Sequence, residues 1–177
     1  MRIISGSHKS RRIIAPKGLP ARPTTDYAKE GLFNLIGNEF DIDKCDVLDL
    51  FAGIGGITFE FASRGAKKIV CIDQHSGCIN FIKKTTMELG FDQIRVLKND
   101  AYRFLKKCDG QFNIIFADPP YDLKNINQIP ELVFEKKLLT ENGLLILEHD
   151  KSWDFSDSPN FYLHKNYSNV NFSIFQY

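Results

Sequence analysis

The residues with the most chemical content are Asp118-Pro119-Pro120-Tyr121, which follow an apolar run from Phe112 to Ala117. The run reads as a buried strand. Pro-Pro stops it, because proline has no N–H to give to a ladder. The stop leaves one carboxylate, a rigid turn with unpaired carbonyls, and a flat ring. Those parts suit the exocyclic amine of a planar base. Such an amine is a poor nucleophile, since its lone pair is shared with the ring. Acceptors from Asp118 and the Pro119 carbonyl would hold its hydrogens and favour a pyramidal nitrogen, while Tyr121 stacks on the base. The plainer reading of the tetrapeptide is a strand-to-loop turn.

A second group lies upstream. Val47-Leu48-Asp49-Leu50 leads into Phe51-Ala52-Gly53-Ile54-Gly55-Gly56, and a helical pattern follows from Ile57. Strand, glycine-rich turn and helix form the nucleotide-binding geometry of open α/β sheets. Thr58 stands where the dinucleotide fingerprint has its third glycine, so the match is partial. Asp49 would repel a pyrophosphate. It suits a cationic amino-acid group, as in the methionine part of S-adenosylmethionine, with Phe51 packing nearby. Asp73 closes the next strand and could accept ribose hydroxyls. Asp100, with Ala101 beside it, follows the third strand and could approach an adenine amine. Each acid also has a plain reading: Asp73 and Asp100 are both placed to cap the helices that follow them. Their joint position with Asp118, at the carboxyl ends of successive strands, is where open α/β sheets bind ligands.

The elements that must hold these groups alternate. Strands are expected at 46–50, 68–72, 94–97, 112–117 and 143–148, with helices at 55–64, 75–89, 100–107 and 126–137. That order argues for a mostly parallel sheet covered on both faces. The tail, Phe161 to Tyr167 and Val170 to Gln176 around Ser168-Asn169, reads as an antiparallel hairpin. Its aromatics are half-buried sheet positions before they are a stacking platform. At the other end, residues 2–4 and 11–14 could pair as a short β-hairpin. A helix capped by Thr24 or Thr25 then runs to about Asn38, burying Leu32, Phe33, Leu35 and Ile36.

A chain of 177 residues, 43% apolar and 25% charged, is normal for one domain. The net charge of +1 hides an asymmetry. Residues 1–25 carry Arg2, Lys9, Arg11, Arg12, Lys17 and Arg22 and no acid, while the remainder is net acidic. A basic arm on an acidic body suggests a polyanionic partner. No apolar run approaches a membrane span, and Ile3 and Ile4 are too brief for a signal-peptide core, so a cytoplasmic protein is expected. Cys45, Cys71, Cys78 and Cys108 form no C-x-x-C pair, and the histidines are scattered. No metal site and no disulfide framework is expected. With no evident coiled coil or large apolar excess, a monomer is the expectation.

The order Asp49-x-x-x-Gly53-x-Gly55, Asp73, Asp100, Asp118-Pro119-Pro120-Tyr121 resembles the class I methyltransferase fold, with the amine-specific motif after the cofactor loop. Arg2-Ile3-Ile4-Ser5-Gly6, Lys9, Arg11-Arg12 and Arg22-Pro23-Thr24-Thr25-Asp26, with Glu30 and Leu32-Phe33-Asn34, narrow this. Together they look like the RsmD family, which methylates the N2 amine of one guanine in bacterial 16S ribosomal RNA. The resemblance covers nearly the whole chain. It implies a Rossmann-like α/β fold with a mostly parallel seven-stranded sheet, a C-terminal antiparallel hairpin and an N-terminal β-hairpin extension. Residues 1–24 would be a basic arm for RNA, and 25–177 the methyltransferase domain. The resemblance also implies S-adenosylmethionine as methyl donor, with S-adenosylhomocysteine as product, and no metal. Asp49, Phe51, Gly53, Gly55, Asp73, Asp100, Ala101 and Asp118 would meet the donor. Asp118, Pro119, Pro120 and Tyr121 would serve catalysis. Arg2, Lys9, Arg11, Arg12, Arg22 and Thr24 would meet 16S rRNA, in an assembling small subunit containing protein.

Three departures stand out. Tyr121 is where some members have Phe, Asp73 is where many have Glu, and segment 150–160 is short and polar. Two rival readings are weighed. A DNA adenine-N6 methyltransferase shares the Asp-Pro-Pro-aromatic motif, but the chain has no evident duplex-reading domain. A non-catalytic RNA-binding module on the same fold is opposed by the intact acids and glycines.

Overall fold

The computed structural model describes residues 1–20 and 24–177. Helix α1 spans Asp26–Glu39, and Thr25 is its N-cap, its hydroxyl accepting from the Ala28 N–H at 3.2 Å. A short 3₁₀ turn follows. Then come β1 (Asp46–Leu50), α2 (Gly56–Ser63), β2 (Lys68–Asp73), α3 (Ser76–Leu89), β3 (Ile94–Lys98), α4 (Ala101–Lys107), β4 (Phe112–Ala117), α5 (Gln128–Glu135), β5 (Leu139–His149), β6 (Phe161–Tyr167) and β7 (Val170–Phe175).

These strands form one seven-stranded sheet in the order β3-β2-β1-β4-β5-β7-β6. The first five are parallel, and β7 and β6 close the edge antiparallel. The central strands β1 and β4 are apolar on both faces because helices cover both. One face carries Val47, Cys71, Ile114, Phe116 and Ile146 under α1 and α2, where Phe33 and Phe61 meet edge-on at 4.6 Å. The other carries Leu48, Leu50, Ile115, Leu145 and Leu147 under α4 and α5, with Leu105, Ile129 and Val133.

Strand β5 starts earlier than its apolar run indicates. Phe112 already pairs with Leu139, and a register shift precedes the pairing of Ile114 with Leu144. Gly143 sits at this irregularity, where an added Cβ would stand 3.0–3.1 Å from three backbone carbonyl oxygens.

The N-terminal hairpin is narrower than expected: a single antiparallel bridge joins Arg2 and Arg12. The reason lies in α2. Ile4 N–H and Ser5 N–H donate to the two oxygens of Glu60, at 2.8 and 3.1 Å, rather than to a facing strand. His8 N–H donates to Ser63 Oγ, and Ser63 Oγ–H donates to Ser5 O. Gly6 presses so closely on this helix that a Cβ would fall 1.8 Å from Ser63 O. Ile3 and Ile13 are buried in the first core.

Candidate active site

The crossover order of an open α/β sheet leaves a crevice beyond the carboxyl ends of its strands. Here those ends carry acids: Asp49 on β1, Asp73 on β2, Asp100 after β3, Asp118 after β4 and Glu148 on β5. Along a strand alternate residues share a face. Asp49 lies opposite Cys71 and Phe116, and Ala117 opposite Leu147. Asp49, Asp118 and Glu148 therefore fall on one side of the sheet.

The glycine-rich loop is built as its sequence indicates. Ala52 N–H donates to Ile72 O, and Gly55 N–H to Ala52 O. Gly53 and Gly55 take φ of +55° and +79°, which a Cβ would oppose. A Cβ on Gly55 would also stand 2.8 Å from the Phe59 ring. Phe51 itself has φ of +60°. A bulky residue there is strained by about 1–3 kcal/mol, a cost that clusters at ligand sites. Its ring meets Tyr102 edge-on at 6.3 Å, and Tyr102 in turn donates to Asn125 O.

Asp73 braces the loop. One of its oxygens accepts from Gly53 N–H at 2.8 Å and the other from His75 N–H at 2.7 Å. A carboxylate has about four acceptor positions, so each oxygen can still take a hydroxyl. Asp100 is the N-cap of α4, accepting from Arg103 N–H at 2.8 Å, so the capping reading holds for it. Ala101 is buried beneath it.

Asp49 is 1% exposed, and Thr58 is its hydrogen-bonding partner, donating through its hydroxyl. Burial pushes its carboxyl up to about 7, against the lowering effect of that hydroxyl and with the Asp118 charge adding to the rise. The residue that breaks the dinucleotide fingerprint, Thr58, is thus the one that orients Asp49. Asp118 follows Ala117, with its N–H towards Leu50 O at 3.4 Å, and burial raises its carboxyl also. Pro119 O receives no hydrogen bond among the described residues, whereas Pro120 O accepts from Leu123 N–H. Tyr121 is half-exposed at 52%.

Three further residues at the site escaped the sequence reading. Glu148 is 4% exposed, and its Oε2 has no hydrogen-bond partner among the described residues. His149 is buried between Ser173 Oγ and Asp150 O, at 2.8 and 2.7 Å. A carbonyl only accepts, so Nδ1 carries the hydrogen, and burial lowers the ring's affinity for a second proton. Trp153 lies parallel to Phe155, with ring centroids 5.8 Å apart. Pro119, Pro120, Tyr121, His149 and Trp153 line a narrow crevice, which adjoins a cleft of about 450 Å³ between Tyr121, Lys124 and Trp153. The signal for Glu148 was available: it ends an apolar strand run just as Asp49 and Asp73 do.

The crevice suits cations and polar hydrogens rather than phosphate. The acids gathered at the strand ends would disfavour a pyrophosphate there. Asp49 suits an ammonium, Asp73 hydroxyls, and Asp118 with Pro119 O an amine. The residues present therefore fit S-adenosylmethionine better than a dinucleotide. No cluster of metal-ligating side chains occurs among the described residues. Nor is any described helix long and apolar enough to cross a membrane.

The basic residues expected to meet RNA lie on the N-terminal segment. Lys9, Arg11 and Arg12 are exposed on the N-terminal loop. Arg2 is engaged by Asp26, Nε to Oδ2 at 3.0 Å. Thr24 is half-buried, and Arg22 lies outside the described residues.

The profile of the family described as conserved hypothetical protein 95 matches residues 1–176. YlbH of Bacillus subtilis, named as a candidate rRNA methyltransferase, is 39% identical over 163 residues, covering 89% of this chain and 87% of that protein. Ribosomal RNA small subunit methyltransferase D of Buchnera aphidicola is 35% identical over 152 residues, covering 86% of this chain and 77% of that one. Among solved structures, a candidate methyltransferase of Escherichia coli superposes with a TM-score of 0.87 at 28% identity, covering 99% of this chain and 97% of that one.

Proposed function

The chain belongs to the family described as conserved hypothetical protein 95, whose members include ribosomal RNA small subunit methyltransferase D, and from that premise we propose that it methylates the exocyclic N2 amine of a specific guanine in 16S rRNA. It is an S-adenosylmethionine-dependent rRNA methyltransferase on a Rossmann-like fold. The observation that carries the choice of an amine is Asp118-Pro119-Pro120-Tyr121 at the end of β4, with Pro119 O receiving no donor among the described residues beside a buried carboxyl.

When bound, S-adenosylmethionine supplies a methyl group on a positively charged sulfur. Asp49, held by Thr58, would pair with its ammonium, and that cation favours the ionised form of a carboxyl that burial otherwise disfavours. Asp73 would take the ribose hydroxyls while keeping Gly53 in place. Gly53 and Gly55 let the backbone approach, with Phe51 alongside, and Asp100 and Ala101 would border the adenine.

The target guanine must leave its stack, at a cost of a few kcal/mol that is smaller in a loop. Tyr121 would stack on it. Asp118 and Pro119 O would accept the two amine hydrogens, turning the nitrogen lone pair out of conjugation and towards the methyl group, while Pro120 keeps the turn rigid. Most of the acceleration comes from that alignment.

Arg2, Lys9, Arg11, Arg12, Arg22 and Thr24, in the segment 1–24, would hold the RNA backbone while residues 25–177 carry the chemistry. The resemblance to the RsmD family implies an assembling small subunit containing protein as the substrate, in keeping with the recognition of RNA through shape and exposed loops. Such a substrate would put the enzyme in the cytoplasm, and the lack of an evident coiled coil or large apolar excess in the sequence supports a monomer. The test is transfer of labelled methyl from S-adenosylmethionine to small subunits from cells lacking this protein, followed by nucleoside analysis. A single N2-methylguanosine is expected. N6-methyladenosine, or no transfer to RNA, would overturn the reading.

A further inference from the structure

Strands β4 and β5 are parallel neighbours, and Ala117 stands opposite Leu147, so Asp118 and Glu148 are next in register. Glu148 is 4% exposed, and its Oε2 is buried with no hydrogen-bond partner among the described residues. No ion pair among the described residues reaches either acid. The neighbouring strands bring no base. Phe172 of β7 lies opposite Glu148, and Asn171 beside it donates to His149 O. On β1, Asp49 is committed to Thr58. Two adjacent buried carboxyls with no cation beside them among the described residues do not both ionise at neutral pH.

We propose that Asp118 and Glu148 share one proton, which Glu148 donates to Asp118, so that Glu148 is a positioning residue that keeps Asp118 as the acceptor for the substrate amine. The role of Asp118 rests on the function proposed above; the shared proton does not. During transfer the nitrogen lone pair takes the methyl carbon, and the electrons of the broken carbon–sulfur bond stay on sulfur. The surplus proton of the amine passes to Asp118. The pair then holds two protons and returns one to water.

The test compares wild type, Glu148→Gln and Glu148→Leu in two readouts. The first is the carboxylic-acid infrared band of the free protein against pH, taken as wild type minus Glu148→Gln so that Asp49 cancels. Burial and the Asp118 charge push the Glu148 carboxyl up to about 9. A protonated band that persists at neutral pH and disappears at about that value is expected. The second is the pH profile of kcat with small subunits. An amide donates at every pH, so Glu148→Gln should keep kcat within about threefold at neutral pH and lose the alkaline fall of the wild type. Glu148→Leu should lower kcat about tenfold or more with KM for S-adenosylmethionine unchanged. If the leucine variant does not fold, the amide and the infrared band decide. An absent difference band, or an alkaline limb unchanged in Glu148→Gln, would overturn the proposal. Wild-type protein that transfers no methyl to RNA but shows the band would sink the proposed function and leave the shared proton standing.

Discussion

Glu60 on α2 and Glu148 on β5 are both buried, and their surroundings are opposite. Glu60 accepts from Ile4 N–H, Ser5 N–H and Arg64 Nε, and Lys29 Nζ stands 4.0 Å from its second oxygen. Lys29 is itself buried and donates to Arg2 O. Burial lowers the proton affinity of Lys29, and Glu60 and Asp26 oppose that effect. Every polar group in this cluster has a partner, and the cluster ties the basic loop and α1 to α2. Glu148 has no such partners among the described residues, its Oε2 receives no hydrogen bond from them, and its neighbour is another acid. A buried charge that is fully paired serves the fold. One left unpaired beside a crevice is costly to the fold and is explained by what enters the crevice.

The sharpest way to break this comparison is at Asp118, the acid that Glu148 faces. Replacing Asp118 with Ala should lower kcat by about 10²–10⁴-fold, the range for a lost positioned proton acceptor. The dissociation constant for S-adenosylmethionine, measured by calorimetry, should change by less than about threefold, because the donor is held from β1 and β2. Equal losses in both would erase the division between a crevice that grips the amine and one that grips the donor.

Glu60→Ala tests the other half. It removes the acceptor of two backbone N–H groups and leaves Lys29 buried beside Asp26 alone. The expected loss is about 3–5 kcal/mol in denaturant unfolding, as for other broken buried pairs. Hydrogen exchange should speed up at Ile4 and Ser5. Donor affinity should hold while RNA affinity falls, because the loop that carries Lys9, Arg11 and Arg12 loses its anchor. A stable variant with slow exchange at those amides would mean that the loop is held by Ser63 and the core residues Ile3 and Ile13 alone.

The two regions also differ in how far the sequence disclosed them. The acids at strand ends were legible because the apolar runs Ile69–Ile72 and Phe112–Ala117 each stop at one and the run Val47–Leu50 carries one just before its end. Parallel strands place such ends in one crevice. Glu148 ends a run of the same kind and was absorbed into the strand, since nothing local says that its neighbour across the sheet is Asp118. Glu60 and Lys29 were hidden more deeply. A charged residue inside a helical pattern is ordinarily on the solvated face. The burial of Glu60 depends on backbone donors more than fifty positions away. The same contact explains why the N-terminal β-runs shrink to one bridge. Cys45 and Cys71, in or beside strand runs, were legible as buried thiols, and Cys78 is buried as well. Burial pushes Cys45 up to about 11, far from reactivity.

Stability against pH separates the two glutamates more finely. The folded Glu148 carboxyl binds its proton more tightly than in the unfolded chain, about 9 against 4.5. Folding therefore takes up a proton between those values, and stability falls as pH rises from the unfolded value towards the folded one. In Glu148→Gln this dependence is removed. The variant should gain on the wild type as pH rises from about 5 to about 8, by at most about 1.4 kcal/mol per pH unit, the free energy of the proton taken up on folding. A parallel shift of the two stability curves would mean that Glu148 is not the group taking up the proton.

The smallest effect on the fold is expected at the outer surface of the segment that Glu60 anchors. Arg11 and Arg12 are exposed and carry no ion pair among the described residues. Replacing both with Ala should leave stability within about 0.5 kcal/mol. If they meet phosphates, RNA affinity should weaken at low salt, and the slope of log affinity against log salt should fall by about one for each arginine removed. The glutamate beneath the loop and the arginines on it then divide the work by burial. The buried group sets where the loop lies, at a cost the fold registers and salt does not. The exposed groups set how strongly it is drawn to a polyanion, which salt registers and the fold does not. An unchanged salt slope with unchanged stability would move the RNA-binding surface away from this loop, while leaving the role of Glu60 in placing it intact.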